Sequence, residues 1–484
     1  MRRIALPLAF LVGAAAVLAF APFEQFWLLP LCLACLFRLF ACAPDWRAAA
    51  WRGAVFGLGF FLAGVSWVYV SLSVFGGMAM PLAALATLLF CAYLALFPAL
   101  LGGLLRRFWP TAAWRQALLF AALWALADLL RGSLFTGFPW LALGYAQSPP
   151  SPLAGYAPVL GVYGLTLLTA LVAAWLTWRP WGWLGVAIVL AGGWGLRQVQ
   201  WTAPQGEPVS VALVQGNVAQ DLKWRPERFA ATLALYRELV SRHPARLTIL
   251  PETALPAFLE AIPHDYLMQL KALAAREQGD LLLGVPTGTE AAYWNSAVSF
   301  GASPSQYYSK AHLVPFGEFI PPGFAWFLRL ARIPMSNFSP GPPSQPPLAL
   351  AGQRLAVNIC YEDVFGRELL PALPAATLFV NMSNTAWFGR SLAQPQHLQI
   401  ARLRALETGR PMLRATNTGM TAVVAPDGQV TALLPPFTTG VLTAHLYGYG
   451  GLTPYARLGD AAALCLALVA LGLALLTPRG AKSK

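Results

Sequence analysis

Eight stretches of this sequence are apolar over near-spanning lengths, and no other feature narrows the possible folds as far. They cover about 4–22, 26–43, 53–74, 79–105, 116–131, 156–178, 181–199 and 458–477. An α-helix needs roughly 20 predominantly apolar residues to cross the hydrocarbon layer. It is also one of the few structures that can satisfy its own backbone N–H and C=O groups there. The pattern predicts a multi-span α-helical membrane domain of about eight transmembrane helices, seven within 1–200 and one at 457–478, with a long interruption between them. Some borders are soft, since 26–43 contains Pro30 and Arg38, and 79–105 contains Pro81 and Pro98. Only 11% of residues are charged, where a soluble domain carries roughly 25%.

The net charge of +13 is not gathered into a patch. Basic residues punctuate the apolar runs, which points to membrane topology and away from nucleic acid. With a cytoplasmic N-terminus, one side of the membrane holds Arg2 and Arg3, Arg47 and Arg52, Arg106, Arg107 and Arg115, Arg179, and finally Arg479, Lys482 and Lys484. The opposite connections, about 20–26, 72–80 and 132–155, hold none, with Arg131 at a border. The bias predicts that 200–455 lies outside the cytoplasm, which in a Gram-negative cell is the periplasm. Met1-Arg-Arg, an apolar run and Ala19-Phe20-Ala21 also have the form of a cleavable signal peptide. Removing that run would leave seven spans and the same placement.

Within the spans, Asp128 and Arg131 stand three apart and can pair on one helix face. The loop Thr136-Gly-Phe-Pro-Trp140-Leu-Ala-Leu-Gly-Tyr145 is aromatic. Trp140 and Tyr145 fit either an interfacial aromatic belt or the lining of a lipid entry path.

From about 208 the pattern changes to short β-rich segments alternating with amphipathic ones, an α/β domain over 208–448 with helices layered on sheets. Strands are expected at 209–215, 247–250, 280–285, 296–300, 355–359, 377–381, 412–416 and 421–425. Helices are expected at about 225–241, 264–277 and 396–407. Three residues close strands: Glu252 after Leu247-Thr-Ile-Leu-Pro251, Lys310 after Gln306-Tyr-Tyr-Ser309, and Cys360 after Arg354-Leu-Ala-Val-Asn-Ile359. Strand ends in α/β folds are where side chains converge on a cleft.

Cys360 is the only cysteine of this domain; Cys32, Cys35, Cys42, Cys91 and Cys465 lie in or beside the spans. No disulfide can form inside the domain, so a lone thiol in an oxidising compartment needs another reason to be there. At a strand-to-helix turn the free N–H groups and helix dipole are expected to favour its thiolate. Glu252 can then act as base and Lys310 as the cation facing an oxyanion. Lysine is scarce in this chain, 5 against 28 arginines, which suits Lys310 to a narrow site that a guanidinium would not fit. No His/Cys/Asp cluster has zinc spacing, and the chemistry requires neither metal nor cofactor.

The phrases Leu250-Pro-Glu-Thr253, Ser309-Lys-Ala-His-Leu-Val-Pro-Phe-Gly-Glu318 and Asn358-Ile-Cys-Tyr-Glu362 resemble the carbon–nitrogen hydrolase (nitrilase) superfamily, whose signature is a Glu-Lys-Cys triad. Together with the spans, Phe138-Pro-Trp140 and Ala386-Trp-Phe-Gly389, the chain resembles that superfamily's membrane-embedded apolipoprotein N-acyltransferase family over nearly its full length. The resemblance implies an extracytoplasmic αββα sandwich with Cys360 as nucleophile, Glu252 as general base and Lys310 as oxyanion stabiliser. It further implies that Glu318, Tyr361 and Glu362 support the site and that Trp224 is an aromatic near it. The partners it implies are a phospholipid acyl donor and a diacylated apolipoprotein acceptor. Where the family pattern reads Asn-Asp-Ala-Trp-Phe-Gly-Asp, this chain reads Asn384-Thr385-Ala-Trp387-Phe388-Gly389-Arg390.

Two features fit lipid substrates. The domain is tethered by spans at both ends, and the 313–350 loop carries Phe316, Phe319, Phe324, Trp326, Phe327, Leu328 and Leu330. An apolar loop of that kind is expected to enter lipid or to cover the cleft, with Trp387 and Phe388 forming a second arm. A membrane-tethered amidase would share the triad, and a lipid-binding scaffold with an inactive domain would share the spans.

Overall fold

The computed structural model describes residues 4–178, 180–289, 291–324, 326 and 337–476. Arg2, Arg3, Arg179, Arg479, Lys482 and Lys484, and Phe327, Leu328 and Leu330 of the aromatic loop, lie outside the described residues. The described chain forms two compact units. One gathers residues from Met1–Ser66, Ala84–Gln200 and Leu458–Lys484, the other Trp67–Ala83 and Trp201–Arg457.

The first unit is helical. Among the described residues four helices are long and apolar enough to cross a membrane: Trp46–Val65, Met80–Arg107, Ala113–Arg131 and Pro152–Leu176. Four shorter apolar helices accompany them, Ala5–Ala19, Leu28–Ala41, Trp181–Leu196 and Ala461–Leu475. Small residues let backbones approach, as expected where lipid removes the hydrophobic drive between helices. A Cβ on Gly13 would stand 2.1 Å from the Phe56 carbonyl oxygen, and one on Gly59 would stand 2.3 Å from that of Phe10. Asp128 and Arg131 pair at 2.8 Å. Arg131 also donates to the carbonyls of Phe138 and Trp140, while Asp128 accepts from Leu143 N and Thr166 Oγ1. This staple draws the aromatic loop inward, leaving Trp140 and Tyr145 only 1% exposed. Both pack within the helical unit.

The third apolar run departs from the sequence reading. Its helix begins at Trp46 and ends at Val65 rather than covering 53–74. A short helical turn Val68–Val70 and a π turn Ser71–Phe75 follow, and residues 67–83 belong to the α/β unit. The cause is tertiary. Trp67 packs edge-on to Phe388 at 4.6 Å, Phe75 to Trp387 at 6.0 Å, and Ser71 Oγ donates to the Trp387 carbonyl at 2.9 Å.

The second unit holds two six-stranded sheets. In chain order the strands are β1 (Thr202–Gln215), β2 (Leu247–Ile249), β3 (Asp280–Thr289), β4 (Ala292–Gly301), β5 (Tyr307–Ser309), β6 (Leu348–Leu350), β7 (Gln353–Ile359), β8 (Leu378–Ser383), β9 (Met412–Thr416), β10 (Ala422–Val424), β11 (Val430–Leu433) and β12 (Gly440–Gly451). One sheet runs β12-β1-β2-β3-β4-β5 and the other β11-β10-β9-β8-β7-β6. The middles, β1-β2-β3 and β7-β8-β9, are parallel; the flanks are antiparallel. Two-residue periodicity sorts the side chains. Leu355, Val357 and Ile359 of β7 meet Val211 and Leu213 of β1 in the core between the sheets. On the outer faces, Leu281, Leu283 and Val285 of β3 pack with the helices Pro226–Arg242 and His264–Ala275, and Ala356 and Phe379 pack with the helix Ala393–Thr408. The result is a helix–sheet–sheet–helix sandwich. β12, absent from the sequence reading, pairs with β1 from Thr202 to Gln215, and its alternating Leu442, Ala444 and Leu446 pack on the core between the sheets.

Candidate active site

β7 is buried along its length and stops at Cys360, whose φ is +54°. A side-chain-bearing residue in this left-handed region costs on the order of 1–3 kcal/mol and persists only where its surroundings hold it. Glu362 is one holder: its Oε2 accepts from Ile359 N at 2.6 Å and Tyr308 OH at 2.8 Å. Its Oε1 accepts from Ala311 N at 2.7 Å and His312 N at 3.1 Å. The carboxylate therefore ties the Cys360 turn to the segment that follows Lys310. Burial pushes the Glu362 carboxyl above its usual range, opposed by the Ile359 hydrogen bond and by Lys310. Tyr361 packs edge-on against His312 and Phe365 at 5.9 and 5.1 Å.

Glu252 stands three residues beyond β2 and is 7% exposed. Its Oε2 accepts from Asn384 N at 2.7 Å and its Oε1 from Asn295 Nδ2 at 2.7 Å. Lys310 directly follows β5, is 1% exposed, and is anchored by its own N–H to the Asn295 carbonyl at 2.8 Å. Its Nζ lies 2.8 Å from Glu318 Oε2 and 3.7 Å from Glu252 Oε1. Glu318 also accepts from Val314 N at 2.9 Å and from Asn295 Nδ2 at 3.0 Å. One amide thus bridges two carboxylates that share one ammonium.

Burial alone would lower the Lys310 pKa. Glu318, and after it Glu252, outweigh burial and hold the group above its ordinary value, a permanent cation. The charges of Glu252, Lys310, Glu318 and Asp363 all act on Cys360, so the three strand ends singled out in the sequence meet in one cluster. The expected thiolate does not follow. Burial pushes the Cys360 thiol up, Glu252 adds to this, and Lys310 opposes. The element after Cys360 is only a 3-10 turn, Cys360–Val364, too short for a helix dipole to compensate. Burial therefore keeps the thiol protonated, and Glu252 is among the groups whose charges act on it.

The sequence passed over Asn295, Asn384 and Lys223. Asn295, buried in mid-strand β4, was detectable as a polar residue that must find partners. Lys223 is 2% exposed and donates to the Glu252 carbonyl at 3.4 Å; burial lowers its pKa to about 8, with Glu252 partly opposing. The aromatic residues are dispersed. Trp224, half-buried, caps the helix Gln220–Lys223, and Trp387 is half-buried against Phe75 rather than forming a free arm. Phe324 and Trp326 are 42% and 46% exposed, and Phe324 packs on Trp326 at 5.9 Å and on Phe316 at 5.4 Å. At the two departures from the family pattern, Thr385 is buried, and Arg390 stacks over Phe437 at 4.2 Å. Among the described residues no group of three or more His, Cys, Asp or Glu side chains is arranged to hold a metal ion.

The family profile "Apolipoprotein N-acyltransferase N-terminal domain" matches residues 12–175, and "Carbon-nitrogen hydrolase" matches 210–454. A protein of Nitrosomonas europaea named apolipoprotein N-acyltransferase is 52% identical over 475 residues, covering 96% of this chain and 95% of that one. One of the same name from Ralstonia nicotianae is 48% identical, covering 99% and 94%. Among solved structures, the C. elegans NitFhit protein shares 18% identity at a TM-score of 0.41, covering 50% of this chain and 61% of that one. Matched by profiles on both sides of residue 200 and by relatives about half identical from end to end, the chain belongs to the apolipoprotein N-acyltransferase family.

Proposed function

We propose that this chain moves a fatty acyl group from a membrane phospholipid, through a thioester on Cys360, to the α-amine of the diacylglyceryl-cysteine at an apolipoprotein N-terminus. The observation that carries the reading is the buried cluster in which Glu252, Lys310 and Glu318 act on a thiol held in a left-handed turn. Sγ attacks the ester carbonyl as Glu252 takes its proton. The C–S bond forms, the oxyanion faces the Lys310 ammonium, and the C–O bond breaks, the lysophospholipid leaving with the proton from Glu252. The neutral amine then attacks the thioester. A C–N bond forms, the C–S bond breaks, and the amine's proton returns through Glu252 to Sγ.

In this scheme Glu318 keeps Lys310 charged and in place, while Glu362 and Tyr361 hold the turn. Trp224, Phe324, Trp326 and Trp387 meet lipid. The scheme goes with a division into a seven-span segment at 1–200, a catalytic domain at 208–448 and an eighth span at 457–478. The catalytic domain stands on the periplasmic side of the inner membrane, a placement supported by the one-sided arginine distribution.

The test is mass spectrometry of the purified protein after incubation with phospholipid. The expected result is an acyl adduct on Cys360 that an added diacylglyceryl peptide discharges with formation of an amide. Absence of the adduct, or full activity of Cys360→Ala, would sink the proposal. Discharge to water alone would favour an amidase.

A further inference from the structure

Behind the nucleophile lies a second buried polar group that the acyl-transfer scheme does not use. Asp363, fully buried, accepts from Arg414 Nη1 at 2.9 Å through Oδ2 and contacts His397 Nε2 at 2.7 Å through Oδ1. His397 and Arg414 are each 1% exposed. One of these contacts leads on to the Cys360 carbonyl. Arg414 Nη1 donates to Asn381 Oδ1 at 3.0 Å, and Asn381 Nδ2 donates to the Cys360 carbonyl at 3.0 Å. Ser383 Oγ, at 2.6 Å, fixes the Asn381 amide in that orientation. The contacts form a chain from the Cys360 carbonyl through Asn381 and Arg414 to Asp363, whose other oxygen meets His397.

Burying ions in this way is a poor route to stability, since well-packed apolar residues of similar volume would serve as well or better. A chain that ends on the left-handed Cys360 has a more specific use. A peptide plane can rotate about a left-handed residue unless its carbonyl is held, and rotation would swing Sγ away from Glu252 and Lys310.

We propose that Asp363, Arg414 and Asn381 form a clamp on the Cys360 carbonyl and are positioning residues for the nucleophile. The inference rests on the reading of Cys360 as nucleophile. Asp363→Asn keeps the volume but removes the charge that anchors Arg414. Among correctly folded protein, judged by gel filtration and thermal midpoint in detergent, its acyl-enzyme formation should fall about 100-fold in kcat, the scale of an ångström-sized misplacement, with KM for phospholipid within about twofold.

Two further variants keep the test decisive if Asp363→Asn fails to fold. Asn381→Asp keeps the side chain's shape and its partner Arg414 but loses the donor to the Cys360 carbonyl. Ser383→Ala removes a neighbour of the same amide and leaves that donor in place. The clamp requires Asn381→Asp to be the slower enzyme by about tenfold or more. Equal kcat in the two, kcat of folded Asp363→Asn within threefold of the parent, or a loss confined to KM would overturn it. Iodoacetamide alkylation of Cys360 supplies a readout without phospholipid. Rates differing at least threefold between Asn381→Asp and Ser383→Ala support the clamp, and equal rates refute it. If the parent forms no acyl-enzyme, the acyl-transfer reading fails by itself, and the alkylation comparison still decides the clamp.

Discussion

Glu318→Gln is the perturbation whose consequence can be worked furthest from the geometry. The wild-type carboxylate receives Lys310 on both oxygens, Asn295 on Oε1 and Val314 N on Oε2. A glutamine offers one oxygen to these donors, so at least one is stranded, at about 1–3 kcal/mol. The larger effect is electrostatic. Without its partner at 2.8 Å the Lys310 ammonium has one carboxylate left, Glu252, now 3.7 Å away. At an effective dielectric of about 20, closing that gap to about 2.8 Å strengthens the attraction by roughly 1.4 kcal/mol. Proton uptake by Glu252 becomes harder by that amount, about tenfold in rate. Lys310 also loses the stronger of the two charges that raise its pKa, so activity that needs the ammonium is lost at a lower pH. The assay is the pH dependence of acyl-enzyme formation from a labelled phospholipid in detergent micelles. A fall in kcat of about 10- to 100-fold is expected, with the alkaline limb displaced toward neutrality. Unchanged kcat with an unmoved alkaline limb would refute the reasoning.

Other expectations follow from the same contacts. Glu362→Gln strands donors from Ile359, Tyr308, Ala311 or His312, and the loss of about 1–3 kcal/mol per stranded group should lower the thermal midpoint in detergent; an unmoved midpoint would contradict the bracing role. Lys223 has a folded pKa of about 8, below the unfolded value of 10.5. Between those values the unfolded chain binds more protons, so stability rises with pH across that window and the burial penalty is full below it. Lys223→Met should flatten the rise, and a denaturation series showing the same slope in both proteins would exclude this. Replacing Phe324 and Trp326 together by Ser should raise KM for phospholipid several-fold at constant kcat; unchanged lipid kinetics would remove both residues from lipid contact.

Local chemistry settled much of this protein before any coordinates. An apolar run near the length of a bilayer's hydrocarbon depth has few other uses, so, the third run apart, the positions of the helical segments follow from composition within a few residues. Glu252, Lys310 and Cys360 were legible because each closely follows a β segment, and strand ends in a layered fold converge on a cleft. What tertiary structure decided depends on groups far apart in the chain. Asn384 holds Glu252 across 132 positions, and Arg414 reaches Asp363 across 51. The third apolar run stops being a span at Val65 because Trp67 and Phe75 find the rings of Phe388 and Trp387. Trp140, which looks interfacial by type, is buried because Arg131 draws in its carbonyl. The thiol of Cys360 is the sharpest case. Its place at a strand end suggests a thiolate, but its proton affinity is set by burial and by charges from three other segments, and those distances exist only once the sheets have paired.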